Sequence, residues 1–245
     1  MSNSAAYLIP YLRPGQGVLD VGCGPGTITI DLAHRVAPGN VVGIDNSPAP
    51  LREARDQAQR QGVRNVSFAL ADVGNLDFAE GTFDVVHAHQ VLQHVAEPVA
   101  ALREMRRVCK PGGVVAARDA DNAVMTWYPP QPELDRWLEL YQRVARSNGG
   151  EPAAGRRLLS WARAAAFSTI TSSAAVWCYA TPEERAWWGG LWAERTTSSA
   201  FAEQAVRGRF ATRADLEDMA LAWREWAEQQ DGWFAVLHGE VLCHP

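Results

Sequence analysis

Lysine is almost absent from this 245-residue chain. Of 23 basic residues only Lys110 is a lysine, and 28 acidic residues bring the formal net charge to −5. A strongly basic face is therefore not expected. Phosphate neutralisation supplies most of the affinity for nucleic-acid polymers, so no nucleic-acid partner is predicted. Cysteine is also scarce. Cys23, Cys109, Cys178 and Cys243 lie far apart and form neither a C-x-x-C pair nor a Cys/His zinc pattern, so reduced thiols and no metal are expected. No apolar run approaches the roughly 18 residues that a membrane span needs, so no membrane partner is predicted. The first residues, Met1 to Tyr7, lack the basic start and apolar core of a secretory signal, which points to a cytoplasmic location.

What is present is an alternation. Short apolar runs at 17–21, 40–44, 66–70, 83–87 and 113–117 have the length and β-branched content of buried strands. Amphipathic stretches at 26–37, 50–61 and 97–109 separate them and are long enough for helices. Strand alternating with helix predicts an α/β fold with a mostly parallel sheet and helices on both faces. Ligands of such sheets sit at the carboxyl ends of the strands.

Beyond residue 120 the pattern loosens. Helices are expected near 131–148 and 152–166, strands at 169–177 and 233–243, and a helical insertion at about 181–231. Thr181-Pro-Glu-Glu184 reads as a helix start, and Thr212-Arg-Ala-Asp215 is a weaker version of it. Leu216, Met219, Trp223 and Trp226 recur at helical spacing and mark one apolar face. All ten tryptophans lie between Trp127 and Trp233, where they either pack the insertion or line an apolar pocket.

The residues that carry chemistry are concentrated earlier. The run Val18-Leu-Asp-Val-Gly-Cys-Gly-Pro-Gly26 is a strand ending in an acid, followed by glycines at 22, 24 and 26 and then a helix. Glycines there let the backbone turn sharply and approach a ligand, while the helix start offers free N–H groups. A dinucleotide site prefers G-x-G-x-x-G and places a pyrophosphate that Asp20 would repel. An acid before the loop suits a ligand with a positive amino group and no phosphate, as S-adenosylmethionine is. Asp45 ends the second strand, where a carboxylate can accept both ribose hydroxyls. Asp72 follows the third strand and can accept from an adenine amino group.

Taken together, residues 17 to 118 resemble class I, Rossmann-like S-adenosylmethionine-dependent methyltransferases, in particular the small-molecule group that includes ubiquinone and menaquinone biosynthesis C-methyltransferases. The matching pieces are Asp20 to Gly26, Gly43-Ile-Asp45-Asn-Ser47, Ala71-Asp72-Val73, Phe83-Asp-Val-Val86, Val91-Leu-Gln-His94, and Leu102 through Lys110-Pro-Gly-Gly113. The resemblance implies a seven-stranded sheet with its last strand antiparallel and S-adenosyl-L-methionine as cofactor. It implies that the loop at Gly22, Cys23 and Gly24 holds the methionine part, with Asp20 fixing its amino group. By the same likeness Asp45 binds the ribose with Asn46 and Ser47 beside it, Asp72 and Val73 read the adenine, and His89 and Gln90 border the methionine end.

One domain is expected over 1–245, with a cofactor-binding half to residue 120 and a substrate-facing half beyond it. The expected partner is a small-molecule substrate, and a homodimer is compatible with the sequence. Only about 16 residues precede the first strand, so a lid over the cofactor is short, missing or supplied by the 181–231 insertion. The sulfonium methyl is already activated, so holding nucleophile, methyl and sulfur in line is the main task. If a base is used, its candidates by position are His89 and His94 after the fourth strand and Asp119 and Asp121 after the fifth. Two alternatives remain at this point: an RNA or protein acceptor, and a sulfonium-binding protein that does not transfer methyl.

Overall fold

A computed structural model describes residues 4–245. The alternation is realised as β1 (Val18–Val21), α1 (Thr27–Val36), β2 (Val41–Asp45), α2 (Pro48–Arg60), β3 (Val66–Leu70), β4 (Phe83–His89), α3 (Pro98–Val108) and β5 (Cys109–Ala120). There follow β6 (Thr126–Tyr128), α4 (Pro132–Ser147), α5 (Ala154–Ala164), β7 (Thr169–Tyr179), α6 (Pro182–Ser198), α7 (Ala200–Arg207), α8 (Arg213–Glu228) and β8 (Trp233–His244). The strand order is β3-β2-β1-β4-β5-β8-β6, and β7 pairs with β8. Pairing is parallel from β3 through β5, and β6 runs antiparallel to β8. The sheet has eight strands rather than seven because the three residues of β6 form a strand of their own.

The chain divides into two compact units. One comprises the chain up to Asp119 with Ala154–Ala174 and Gly239–Pro245, and the other comprises Ala120–Ala153 and Ala175–His238. The division is therefore not a single cut near residue 120, because α5 and the ends of β7 and β8 return to the first unit.

In the first unit the two-residue period of a strand sends alternate side chains to opposite faces. Val18, Val85, Val114 and Ala116 join one core with Leu32, Ala33 and Val36 of α1. The residues before β1 belong to this core too, through Ala5, Leu8 and Leu12. Leu19, Val21, Val86, Val115 and Ala117 face the other way, onto Leu102 and Met105 of α3 and Leu158 and Ala162 of α5. Each fully buried leucine contributes roughly 1.5–3 kcal/mol. The paired strands therefore have little freedom to slip in register.

The second unit is built on indole rings. Trp137 of α4 stands edge-on to Trp192 of α6 at 4.7 Å and to Trp223 of α8 at 4.8 Å. Leu216, Met219, Trp223 and Trp226 are all buried, as their helical spacing predicts. Thr181 with Glu184 and Thr212 with Asp215 form reciprocal capping boxes: Thr181 Oγ1 accepts from the Glu184 amide and Thr212 Oγ1 from the Asp215 amide. Gly189 lies where α6 meets α8. A Cβ there would lie 2.7 Å from the Trp223 carbonyl oxygen, so only glycine permits this approach. Among the described residues no helix is long and apolar enough to cross a membrane.

Candidate active site

Residues at the carboxyl ends of β1, β2 and β4 and after β3 surround a cavity of about 450 Å³, within the usual range for a small-molecule site. Gly22, Asp45, Asn46, Asp72, Val73, Gln90 and His94 line it. Asp20, Cys23, Gly24, Ser47, His89 and Asp119 do not, and each has a different place.

Asp45 organises the rim. Its Oδ2 accepts the Gly24 amide at 3.0 Å and its Oδ1 accepts the Ser47 amide at 2.9 Å. One carboxylate thus ties the glycine loop to the start of α2. Each oxygen keeps further acceptor capacity, since an ionised carboxylate has about four lone-pair sites. Gly24 adopts φ +52° with open space around a Cβ, so its need for glycine is conformational. At Gly22 the need is also steric. Its φ is +64°, and a Cβ would meet the Val91 methyl at 2.4 Å. Cys23 is buried behind the loop, its amide bonded to the Ile44 carbonyl at 2.8 Å. Burial, with Asp20 and Asp45 nearby, pushes its thiol up to about 12, so it is no nucleophile at neutral pH.

Asp20 is 2% exposed, and both of its oxygens are engaged. Thr29 Oγ1 donates to one at 2.6 Å, and His87 Nδ1 to the other at 2.7 Å. The carboxylate therefore braces the floor of the glycine loop from beneath. His87 in turn stacks on His89, with ring centroids 6.4 Å apart and planes 8° from parallel.

Beyond β4 the backbone is strained. Gln90 has φ +60°, uncommon for a residue with a side chain and a recurrent feature of functional sites. Its amide donates to the Arg118 carbonyl at 2.8 Å. Gln93 Nε2 reaches both Gln90 Oε1 at 2.7 Å and His94 Nε2 at 3.3 Å. A single amide thereby couples two cavity residues. The ring of His94 is accessible to solvent, yet the protein mass around it lowers its pKa below the ordinary histidine value. His94 is accordingly neutral at pH 7 and can accept a proton.

Asp119 lies behind this turn rather than on the cavity. Its Oδ1 accepts the Gln93 amide at 3.1 Å, while its Oδ2 is buried with no partner among the described residues. Burial pushes its carboxyl up to about 7, against the lowering effect of the Gln93, Leu92 and Val91 amides.

A layer of buried polar groups lies alongside. Arg118 pairs with Glu240 at 3.2 Å, and Ser173 donates to the same carboxylate at 2.8 Å. The hydroxyl of Tyr7 is enclosed, and burial together with the charge of Glu240 raises its pKa well above the tyrosine range. Nothing in the sequence singles out Tyr7, Arg118 or Glu240, which are brought together only by the tertiary fold. Glu97 also lines the cavity. Its position just before Pro98, at a helix start facing the ligand end of the sheet, was a usable signal.

The methyltransferase-domain family matches residues 12–181 of the chain. An uncharacterised methyltransferase of Schizosaccharomyces pombe is 35% identical over 97% of this chain and 87% of its own length. A demethylmenaquinone methyltransferase of Lactococcus lactis is 34% identical over 52% of this chain and 48% of its own. In three dimensions the YcgJ protein of Bacillus subtilis superposes over 100% of this chain and 98% of its own, with a TM-score of 0.65 at 17% identity, a likeness of fold. With its Rossmann-like sheet and a glycine loop pinned by Asp45, the chain belongs to the methyltransferase-domain family.

Proposed function

We propose that this enzyme moves a methyl group from S-adenosylmethionine to a small-molecule acceptor by in-line displacement. The observation that carries the reading is the rim built by Asp45. Its carboxylate holds two backbone amides while keeping acceptor capacity at the cavity, which suits a pair of ribose hydroxyls. Asp72 and Val73 flank the adenine end, and Gly22, Gln90 and His94 flank the methionine end. Among the described residues no lysine or arginine lines the cavity, which suits a cofactor without phosphate.

The bound cofactor supplies a methyl group already activated by the sulfonium. What the chain adds is alignment and exclusion of water. Gln90, fixed by its strained backbone and by Gln93, sets the wall past β4. His94, neutral at pH 7, takes a proton from an acceptor that must lose one. Asp119 acts behind the turn as a positioning residue.

A small-molecule acceptor is supported by the net charge of −5, which disfavours polyanions, and by the partial likeness to demethylmenaquinone methyltransferase. A cytoplasmic location is supported by the free thiols of all four cysteines. The test is incubation of the enzyme and methyl-labelled S-adenosylmethionine with a cell extract, followed by size fractionation. Label is expected in the low-molecular-mass fraction. Label confined to RNA or protein, or no transfer at all, would overturn the reading.

A further inference from the structure

Strand β7, Thr169–Tyr179, pairs with β8 and with no other strand among the described residues. Half of its backbone N–H and C=O groups therefore point outward from the sheet. Its eleven residues, Thr-Ile-Thr-Ser-Ser-Ala-Ala-Val-Trp-Cys-Tyr, include no acid, no lysine or arginine, no proline and no glycine. Natural sheets blunt such edges with charge, proline, bulges or shortness. β7 carries neither charge nor proline, and at eleven residues it is not short. The strands at the ends of the strand order, β3 and β6, have five and three residues. Ser172, Ser173 and Ala174 are exposed in succession at the middle of β7, although the Ser173 hydroxyl reaches Glu240 at 2.8 Å.

We propose that β7 is a dimerisation edge, pairing antiparallel with β7 of a second copy across a two-fold axis. The outward groups are hydrogen-bonding partners for an extended backbone and little else. Antiparallel pairing of a strand with itself is self-complementary, because residue i meets j while j meets i. The absence of charge removes the like-charge opposition that would otherwise arise between identical strands. Ala174, Val176 and Cys178 fall on one side at a spacing of two, and Val176 is 56% exposed. Pairing centred near residue 176 sets Val176 against its own copy and Ala174 against Cys178, so the two copies of this apolar stripe lie side by side. A second copy therefore accounts for both the open edge and the exposed valine.

Sedimentation across a concentration series, with hydrogen exchange on the same samples, tests the proposal. A dimer is expected whose dissociation on dilution releases the outward amides of 169–179 while the amides bonded to β8 stay protected. Val176→Lys, which changes a solvent-facing side chain and no core contact, should weaken association several-fold by placing two like charges near the axis. If that variant fails to fold, the exchange pattern of the unaltered chain still decides. A chain that stays monomeric at every concentration overturns the proposal. So does a dimer whose 169–179 amides exchange as fast as in the monomer, or protection supplied by a co-purifying protein.

Discussion

Asp119 carries an unusual load for a single side chain. It is fully buried, holds the backbone of the turn that carries Gln90 and His94, and leaves one oxygen unpartnered among the described residues. Its folded-state pKa of about 7 lies above the 3.8 of an ordinary aspartate, so the folded chain retains a proton that the unfolded chain gives up. The sign follows by linkage. Its stabilising contribution is complete below about pH 4 and is lost as the pH rises through about 7, a change on the order of a few kcal/mol. Asp119→Asn keeps an acceptor for the Gln93 amide and cannot ionise. Denaturation midpoints of the two proteins should therefore diverge between pH 4 and pH 7, with the unaltered chain losing stability relative to the variant. Parallel curves would show that Asp119 does not titrate in this range. The position of Asp119 after the fifth strand is legible in the sequence, but its burial is not, because that depends on a turn folded over from another strand. The same holds for Asp20. Its spacing before the glycines is plain, whereas its engagement by Thr29 of α1 and His87 of β4 arises only in the tertiary fold.

At the scale of elements, periodicity did most of the predictive work. The strands, the helices around them and both capping boxes follow from alternation and from residues with a defined role at helix starts. β6 escaped, since three residues carry no readable period, and its existence depends on antiparallel pairing with β8. The Gly189-Gly190 pair inside α6 is a local contradiction, as glycine in a helix interior costs roughly 1 kcal/mol relative to alanine. Packing resolves one half of it. A Cβ at Gly189 would meet the Trp223 carbonyl oxygen at 2.7 Å and the Ala227 methyl at 2.8 Å, whereas at Gly190 it would meet nothing within 4 Å. Gly189→Ala should accordingly destabilise by about 1–3 kcal/mol through overpacking. Gly190→Ala should stabilise by about 0.5–1 kcal/mol through helix propensity. Urea denaturation of the two variants provides the check, and equal effects of the same sign would show that α6 and α8 do not approach so closely. Nothing in the structure accounts for glycine at 190.

At the scale of the molecule, the ligand-recognition groups we propose are a small polar set carried on the sheet. The cavity's polar members were largely readable from the sequence, since acids and glycines at strand ends have few other reasons to recur. Its apolar walls, such as Ile44 and Val91, were not, because an apolar residue at a strand end reads the same whether it faces core or ligand. We propose that Asp45 holds the ribose of a sulfonium cofactor whose methionine part lies against the glycine loop. Calorimetric titration with S-adenosylhomocysteine tests it most directly. One site per chain is predicted, with no heat from NAD and with affinity reduced by about 1.5–3 kcal/mol in Asp45→Ala, the scale for losing hydrogen bonds to a charged acceptor. Binding of NAD in place of the homocysteine derivative would overturn the sulfonium cofactor, and an affinity unchanged by Asp45→Ala would remove Asp45 from the cofactor site.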